Sequence, residues 1–422
     1  MRIAFILLTI LSFCANAQNY DSYFSGNSQD APTSPTGGIC LMGGATENDE
    51  AMKWFLQRAE GGDILVIRAS GSDGYNDYLL NQLGVTINSV ETIVFNDATA
   101  SDETYIHQRI NQAEGIWIAG GDQWDYVSYW RNTPIDSLIN KGITERNIVI
   151  GGTSAGMAIQ GGIYFTAENG TITSNDALMD PYNTNATIDS ASFIQNSIIS
   201  EVITDTHYDN PDRKGRHTSF IAKAIVEYGL NAKGIACDEY TAVCISTSGI
   251  ASVYGEYPTY DDNAYFIQAN CEINPNLPEN CTTGAPLNWI QNNAALKVYQ
   301  IKGTSNGLHT FDLNDWLIGT GGTWNNWWVN NGVFYENPST APICSASTIH
   351  EEDDFFVFYP TLFDDHISIY VQGVTARLID LNGKVLIEEK NNLINTIKVH
   401  PGYYILELHK NGKLQRNRVL KL

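Results

Sequence analysis

Between residues 38 and 250 short apolar runs alternate with helical stretches. Runs at 39–42, 63–68, 92–95, 115–119, 147–150, 201–204 and 234–237 read as strands, with helices at about 50–59 and 217–228. This strand–helix–strand rhythm predicts an α/β fold, a parallel sheet with helices on both faces. Ligands in such sheets bind beyond the carboxyl ends of the strands.

The pattern then changes twice. Residues 255–345 are rich in Asn, Gly and aromatics and show no clear period. Trp316, Trp324, Trp327 and Trp328 could form a carbohydrate surface, but packing within a core or sheet is the commoner use of such a cluster. After the acidic Glu351-Glu352-Asp353-Asp354 the text is all strand, at 355–359, 366–371, 376–379, 384–388, 395–399, 403–409 and 413–420. Asn382-Gly383 and Asn411-Gly412 read as hairpin turns. The size suits a small all-β sandwich. The expected organisation is a leader at 1–17, a catalytic region at 18–345 with its core at about 38–250, a linker at 346–354 and a β module at 355–422.

Composition narrows the function. With 422 residues, of which 43% are hydrophobic, the chain is long enough for two or three folded units. A net charge of −23 argues against nucleic acid and anionic lipid as partners. Arg2, the apolar run 3–14 and Ala15-Asn16-Ala17 read as an export signal cleaved before Gln18, too short to span a bilayer. Phe13 stands where a lipid-attachment site before Cys14 would want a small residue, so no lipid anchor is expected. The six remaining cysteines then favour disulfides, with Cys271–Cys281 and Cys237–Cys244 the expected pairs and buried free thiols the alternative. No spacing resembles a zinc site, and neither metal nor cofactor is expected.

The sharpest chemical signal is the apolar run 147–150 entering Gly151-Gly152-Thr153-Ser154-Ala155-Gly156. A strand running into Gly-x-Ser-x-Gly is a nucleophile elbow, in which the flanking glycines make room for a strained serine. Ser154 is the expected nucleophile. It needs a base, and His107, His207, His217 and His309 compete; His207 directly follows the run 201–204 and is the best placed. Between them lie the carboxylates Glu168, Asp176, Asp180 and Asp189, of which Glu168 is favoured and Asp176 next. The oxyanion is expected to meet the amide of Ala155 and the turn Gly120-Gly121-Asp122, with Gly121 and Asp122 as the second contribution.

Taken together, Gly43-Gly44-Ala45, Gly120-Gly121-Asp122-Gln123, Gly151 to Gly156, Asp205-Thr206-His207, Arg213-Lys214-Gly215-Arg216 and Gly234 to Glu239 resemble the cyanophycinase family of serine peptidases over residues 38–250. The resemblance implies a flavodoxin-like or glutamine-amidotransferase-like sheet, a Ser-His-acid triad, and cleavage of aspartyl or β-aspartyl-arginine peptides or polymers. It also implies substrate contacts from Gln123, Asp205, Arg213 and Arg216, with Glu239 one layer further out, and admits a homodimer. Met157 after the elbow and a long segment at 168–197 depart from the family pattern. The tail is similar to the C-terminal sorting domain of the type IX secretion system of Bacteroidetes. Tyr359-Pro360, Leu378 to Lys384, Pro401-Gly402-Tyr403-Tyr404 and Arg418 to Leu422 carry that likeness, with Thr361-Leu362 departing from it. It implies a partner in the secretion machinery and a secreted or cell-surface location reached through the periplasm.

Overall fold

Five of the apolar runs lie side by side, all parallel, in the order Ser89–Phe95, Asp63–Arg68, Gly115–Ile118, Val149–Thr153, Gly38–Met42. Every residue of Gly38–Met42, Gly115–Ile118 and Val149–Thr153 is buried, with the helix Asp49–Arg58 packed on one face and, on the other, helices together with later strands that contribute residues such as Ile235 and Phe266. The helix Asp49–Arg58 shows how the local sequence secures that cover. Asn48 caps it by accepting from Ala51 N at 3.1 Å, while Asp49 and Glu50 in the first turn and Arg58 in the last oppose the helix dipole. Its buried face, Ala51, Met52, Phe55 and Leu56, enters the core, where Phe55 meets Trp117 edge to face at 5.3 Å. In this computed structural model the described residues are 18–190 and 193–344, and in the tail 358–359, 362–363, 366–369, 374–380, 384–390, 393–410 and 413–421. The expected leader 1–17, the linker 346–354 and both tail turns, Asn382-Gly383 and Asn411-Gly412, lie outside them.

The sheet is mixed rather than wholly parallel. Tyr20–Gly26 adds an antiparallel strand at one edge, and Ala242–Ile245, Ile250–Tyr254 and His309–Asp312 extend the other edge antiparallel. The runs at 201–204 and 234–237, expected in the same sheet, lie outside it. They form Val202–Asp205 and Lys233–Cys237, parallel to each other in a separate sheet. That sheet continues antiparallel through Asn263–Ala269, Leu296–Lys302, Gly322–Asn330 and Val333–Pro338. The region without a readable period is therefore largely β. Its tryptophans pack: Trp316 and Trp327 are buried, Trp316 against Phe266 and Phe311 and Trp327 against Tyr265 and Phe334.

The disulfide is Cys271–Cys344, not Cys271–Cys281 or Cys237–Cys244. Cys40, Cys237, Cys244 and Cys281 are buried free thiols. The chain divides into two compact units, Met1–Cys344 and Ser345–Leu422. In the second, all described elements are strands, in sheets of three and five, around a core that includes Ile367, Ala376, Leu378, Leu406 and Leu408.

Candidate active site

The strand Val149–Thr153 ends at the carboxyl edge of the sheet, and Ser154 follows with φ +52° and ψ −117°. A non-glycine residue takes such a conformation only where its surroundings enforce it. They do so here by leaving no room for side chains at Gly152 and Gly156, two residues to either side. A Cβ on Gly156 would sit 2.0 Å from the carbonyl oxygen of Ile118 in the adjoining strand, and one on Gly152 would sit 2.7 Å from it. The Ser154 N–H is held by Met42 O at 3.1 Å, and Ala155 opens the short helix Ala155–Ala158. Its N–H therefore belongs to the first turn, where no intrahelical carbonyl can accept it.

The second sheet supplies the partners. Asp205 and Ala236 are opposite each other on its two parallel strands, so the chains leaving those strands emerge side by side, one carrying His207 and the other Glu239. The Oγ–H of Ser154 donates to His207 Nε2 at 2.8 Å, and His207 Nδ1 donates to Glu239 Oε1 at 2.6 Å. A carboxylate facing Nδ1 keeps the proton there and leaves Nε2 free to accept. The stretch Met42-Gly43-Gly44 joins the two sheets at this point. His207 N donates to Gly43 O at 2.8 Å and Tyr240 N to Gly44 O at 3.1 Å. Gly44, at φ +118°, lies flat against the imidazole, where a Cβ would come within 2.4 Å of the ring.

The carboxylate that meets His207 is thus Glu239, and the expectation of Glu168 or Asp176 is corrected. Glu168 is exposed on the loop after Tyr164–Phe165. Asp176 sits in the first turn of Ser174–Met179 and accepts from the Thr173 hydroxyl at 2.8 Å. The other histidines hold structural bonds instead: His107 donates to Ser101 O, His309 to Lys302 O, and His217 joins Ile203 O and Tyr208 OH.

Asp205 and Arg216, expected to touch substrate, bind each other. Arg216 Nε donates to Asp205 Oδ2 at 2.9 Å and Nη2 to Oδ1, with both side chains 4% exposed. Although burial opposes ionisation of Asp205, the Arg216 guanidinium prevails and holds its carboxyl below the usual range. Gln123 Nε2 donates to Phe165 O at 2.8 Å, and Asp122 caps the helix Gln123–Trp130 by accepting from Trp124 N at 2.9 Å. Of the turn Gly120-Gly121-Asp122, Gly120 lines the cavity in front of Ser154, while Gly121 and Asp122 are exposed beside it. Arg213 is half-buried and donates to Thr206 O at 2.9 Å. Among the described residues it has no carboxylate within ion-pairing distance, and its buried Nε has no partner. Burial, and next the neighbouring Arg216, lower its pKa.

Ser154, His207 and Gly120 open into a cavity of about 580 Å³. Its lining also includes Glu47, Asp49, Arg68, Tyr75 and Tyr78. The tyrosine hydroxyls donate to the carboxylates, Tyr75 to Glu47 and Tyr78 to Asp49. Arg68 is turned to its own loop, bonding Ser70 O and Ser72 O. With both tyrosine hydroxyls directed at them, Glu47 and Asp49 are the acidic groups of the lining. Among the described residues no group of three or more His, Cys, Asp or Glu is arranged to hold a metal ion.

Residues 41–253 match peptidase family S51. A cyanophycinase of Trichormus variabilis is 25% identical over 167 residues, 40% of this chain and 51% of that one. A cyanophycinase of Synechococcus elongatus is 24% identical over 228 residues, 51% of this chain and 65% of that one. The chain thus spans about half to two thirds of the length of these curated relatives. The crystal structure of a peptidase from an acI-B1 Actinobacterium is 14% identical and covers 55% of this chain and 91% of that one, with a TM-score of 0.41. Because the family match begins before Gly43, ends after Glu239 and takes in Ser154 and His207 between them, it contains the whole constellation described above, and the chain belongs to peptidase family S51.

Proposed function

We propose that this protein is a serine exopeptidase that hydrolyses cyanophycin or related β-aspartyl peptides through an acyl-enzyme on Ser154. The observation that carries the reading is the hydroxyl–imidazole–carboxylate chain Ser154–His207–Glu239 at a strained elbow. His207 takes the Ser154 proton as Oγ attacks the scissile carbonyl, and returns it to the departing amine. Water, activated by the same imidazole, then releases the acyl group. Glu239 holds the ring in its accepting tautomer and stabilises the imidazolium that forms. The Ala155 amide and the turn at Gly121 and Asp122 are the oxyanion donors in this reading, the turn through its backbone.

Two features favour an aspartyl substrate bearing a cationic neighbour. Arg213, which donates to Thr206 O beside His207 and forms no ion pair among the described residues, suits a substrate carboxylate, which its planar fork can grip in two places. Glu47 and Asp49, which line the cavity in front of Ser154, suit a guanidinium or ammonium group. The names of the curated relatives point to the same substrate class. The order of the strands between residues 63 and 153 supports a flavodoxin-like or glutamine-amidotransferase-like reading of the sheet. Numbered along the chain those strands run 2-1-3-4, and Gly38–Met42 takes the fifth place. In the same reading residues 1–17 are an export signal and 355–422 a small β-sandwich that serves as a type IX sorting domain, the motifs quoted for it being the support.

The test is incubation of the purified protein and of Ser154→Ala with cyanophycin and with β-aspartyl-arginine, aspartyl and isoaspartyl peptides, followed by mass spectrometry. Dipeptide release from cyanophycin by the wild type alone is the expected result. Cleavage of small aspartyl peptides only would keep the mechanism and make the protein a dipeptidase. No turnover of any of them would leave a surface-binding protein on a peptidase fold.

A further inference from the structure

Beneath the site lie thiols that take no part in this chemistry. Cys40 and Cys244 are directly opposite each other on the antiparallel strands Gly38–Met42 and Ala242–Ile245, and their sulfurs are 3.7 Å apart. Directly opposed residues in such a pair have Cα atoms ~4.5–5.5 Å apart, inside the ~4.4–6.8 Å that a disulfide spans. Rotation of the two side chains is then enough to bring the sulfurs to the bonded distance of ~2.0 Å, with no change of register. Cys237 is placed otherwise, on the second sheet with its thiol on Leu41 O at 3.7 Å. Cys281 belongs to a different core cluster.

We propose that Cys40 and Cys244 form a cross-strand disulfide when the chain folds in an oxidising compartment. Their positions give the bond a consequence at the active site. The first strand runs into Gly43 and Gly44, whose carbonyls hold the backbones of His207 and Tyr240. The second begins three residues after Glu239. A bond between them ties these two stretches together and closes a loop of sequence separation 204 that contains Ser154, His207 and Glu239. Long loops are those whose closure most restricts the unfolded chain.

The chemistry is thiol–disulfide exchange with a donor disulfide, either a small molecule or an oxidoreductase. One cysteine thiolate attacks a donor sulfur and expels the first donor thiol. The second attacks the mixed disulfide and expels the other. Two electrons and two protons leave the pair, and one donor disulfide becomes two thiols. Both sulfurs are enclosed in the native core, and burial pushes the Cys244 thiol well above its ordinary pKa. Exchange therefore belongs to the folding chain, before Ala242–Ile245 closes over Cys40.

The experiment maps disulfides in the full chain recovered from an oxidising bacterial periplasm, alkylated during denaturation without reductant and digested for mass spectrometry. A linked Cys40–Cys244 peptide beside Cys271–Cys344, with Cys237 and Cys281 alkylated, is the expected result. Alkylation of both Cys40 and Cys244, or a Cys237–Cys244 peptide, would overturn the proposal. Dithiothreitol should then lower the wild-type melting temperature by several degrees more than that of Cys40→Ala/Cys244→Ala. Equal shifts would overturn the inference that the bond ties the two stretches together. Should the double variant fail to fold, the wild-type peptide map alone decides.

Discussion

Ser154 and Glu239 differ in how their roles are written into the chain. The elbow is local: residues 151–156 contain both the strained serine and the glycines that make its φ of +52° affordable, so it is legible in one line of sequence. Glu239 is 32 positions from His207 and meets it only because two strands pair in register. The segment between Ser154 and His207 holds six carboxylates, Glu168, Asp176, Asp180, Asp189, Glu201 and Asp205, and no local signal that points past them to Glu239. The useful clue was positional, since Asp238 and Glu239 end a strand just as Asp205, Thr206 and His207 do. Glu239→Gln should lower kcat by ~10²–10⁴-fold, while Glu168→Gln and Asp176→Asn leave it unchanged, as steady-state assays on the cleaved substrate would register. Glu47→Gln should raise KM for arginine-containing substrates and leave it unchanged for neutral aspartyl peptides. An equal effect on both would remove the acidic lining from the account of specificity.

At the scale of elements, the strand Val202–Asp205 is fastened to the helix Lys214–Tyr228 by buried polar groups. Arg216 and His217 on the helix meet Asp205 and Ile203 on the strand. Arg216→Met would leave Asp205 buried without its partner, a loss of about 3–5 kcal/mol in urea unfolding; replacing both residues by apolar ones should cost much less. His217 yields a pH signature. Burial holds its imidazole neutral and lowers its pKa to about 4. Between about pH 6.5, where an unfolded histidine titrates, and pH 4, the unfolded chain binds a proton that the native chain refuses. This contribution is complete above pH 6.5, falls away as the pH drops towards 4, and is worth on the order of 3 kcal/mol. Glu114 and Asp238 act in the opposite sense over much of this range, because burial raises each to about 7. The informative quantity is therefore a difference: His217→Gln should flatten the fall of melting temperature between pH 7 and pH 4 relative to the wild type. The apolar runs told where strands lie but not which sheet receives them. The runs at 201–204 and 234–237 look like the others, and only pairing with Asn263–Ala269 and its neighbours separates them. The later strands are not legible as such, because partly buried aromatics and asparagines blur the alternation expected of a half-buried strand.

For the whole molecule, every residue of the site and the disulfide Cys271–Cys344 lie in the first compact unit. Removing residues 346–422 should therefore leave kcat/KM and the melting transition of residues 18–345 unchanged, as activity assays and calorimetry on the shortened chain would reveal. A shift in either would show that the tail supports the peptidase unit. The sequence by itself determined the α/β character of the first unit, the change of texture at the acidic stretch 351–354, the serine elbow and the histidine best placed to serve it. These are properties of short windows, set by the spacing of apolar residues and by the conformational freedom of glycine. Only the tertiary structure decided which carboxylate meets His207, which arginine beside it forms no ion pair, which cysteines are joined and how the strands divide between two sheets. Each of these depends on contacts between residues far apart in the chain. Register and burial choose among chemically equivalent candidates there, and neither is encoded in any one segment.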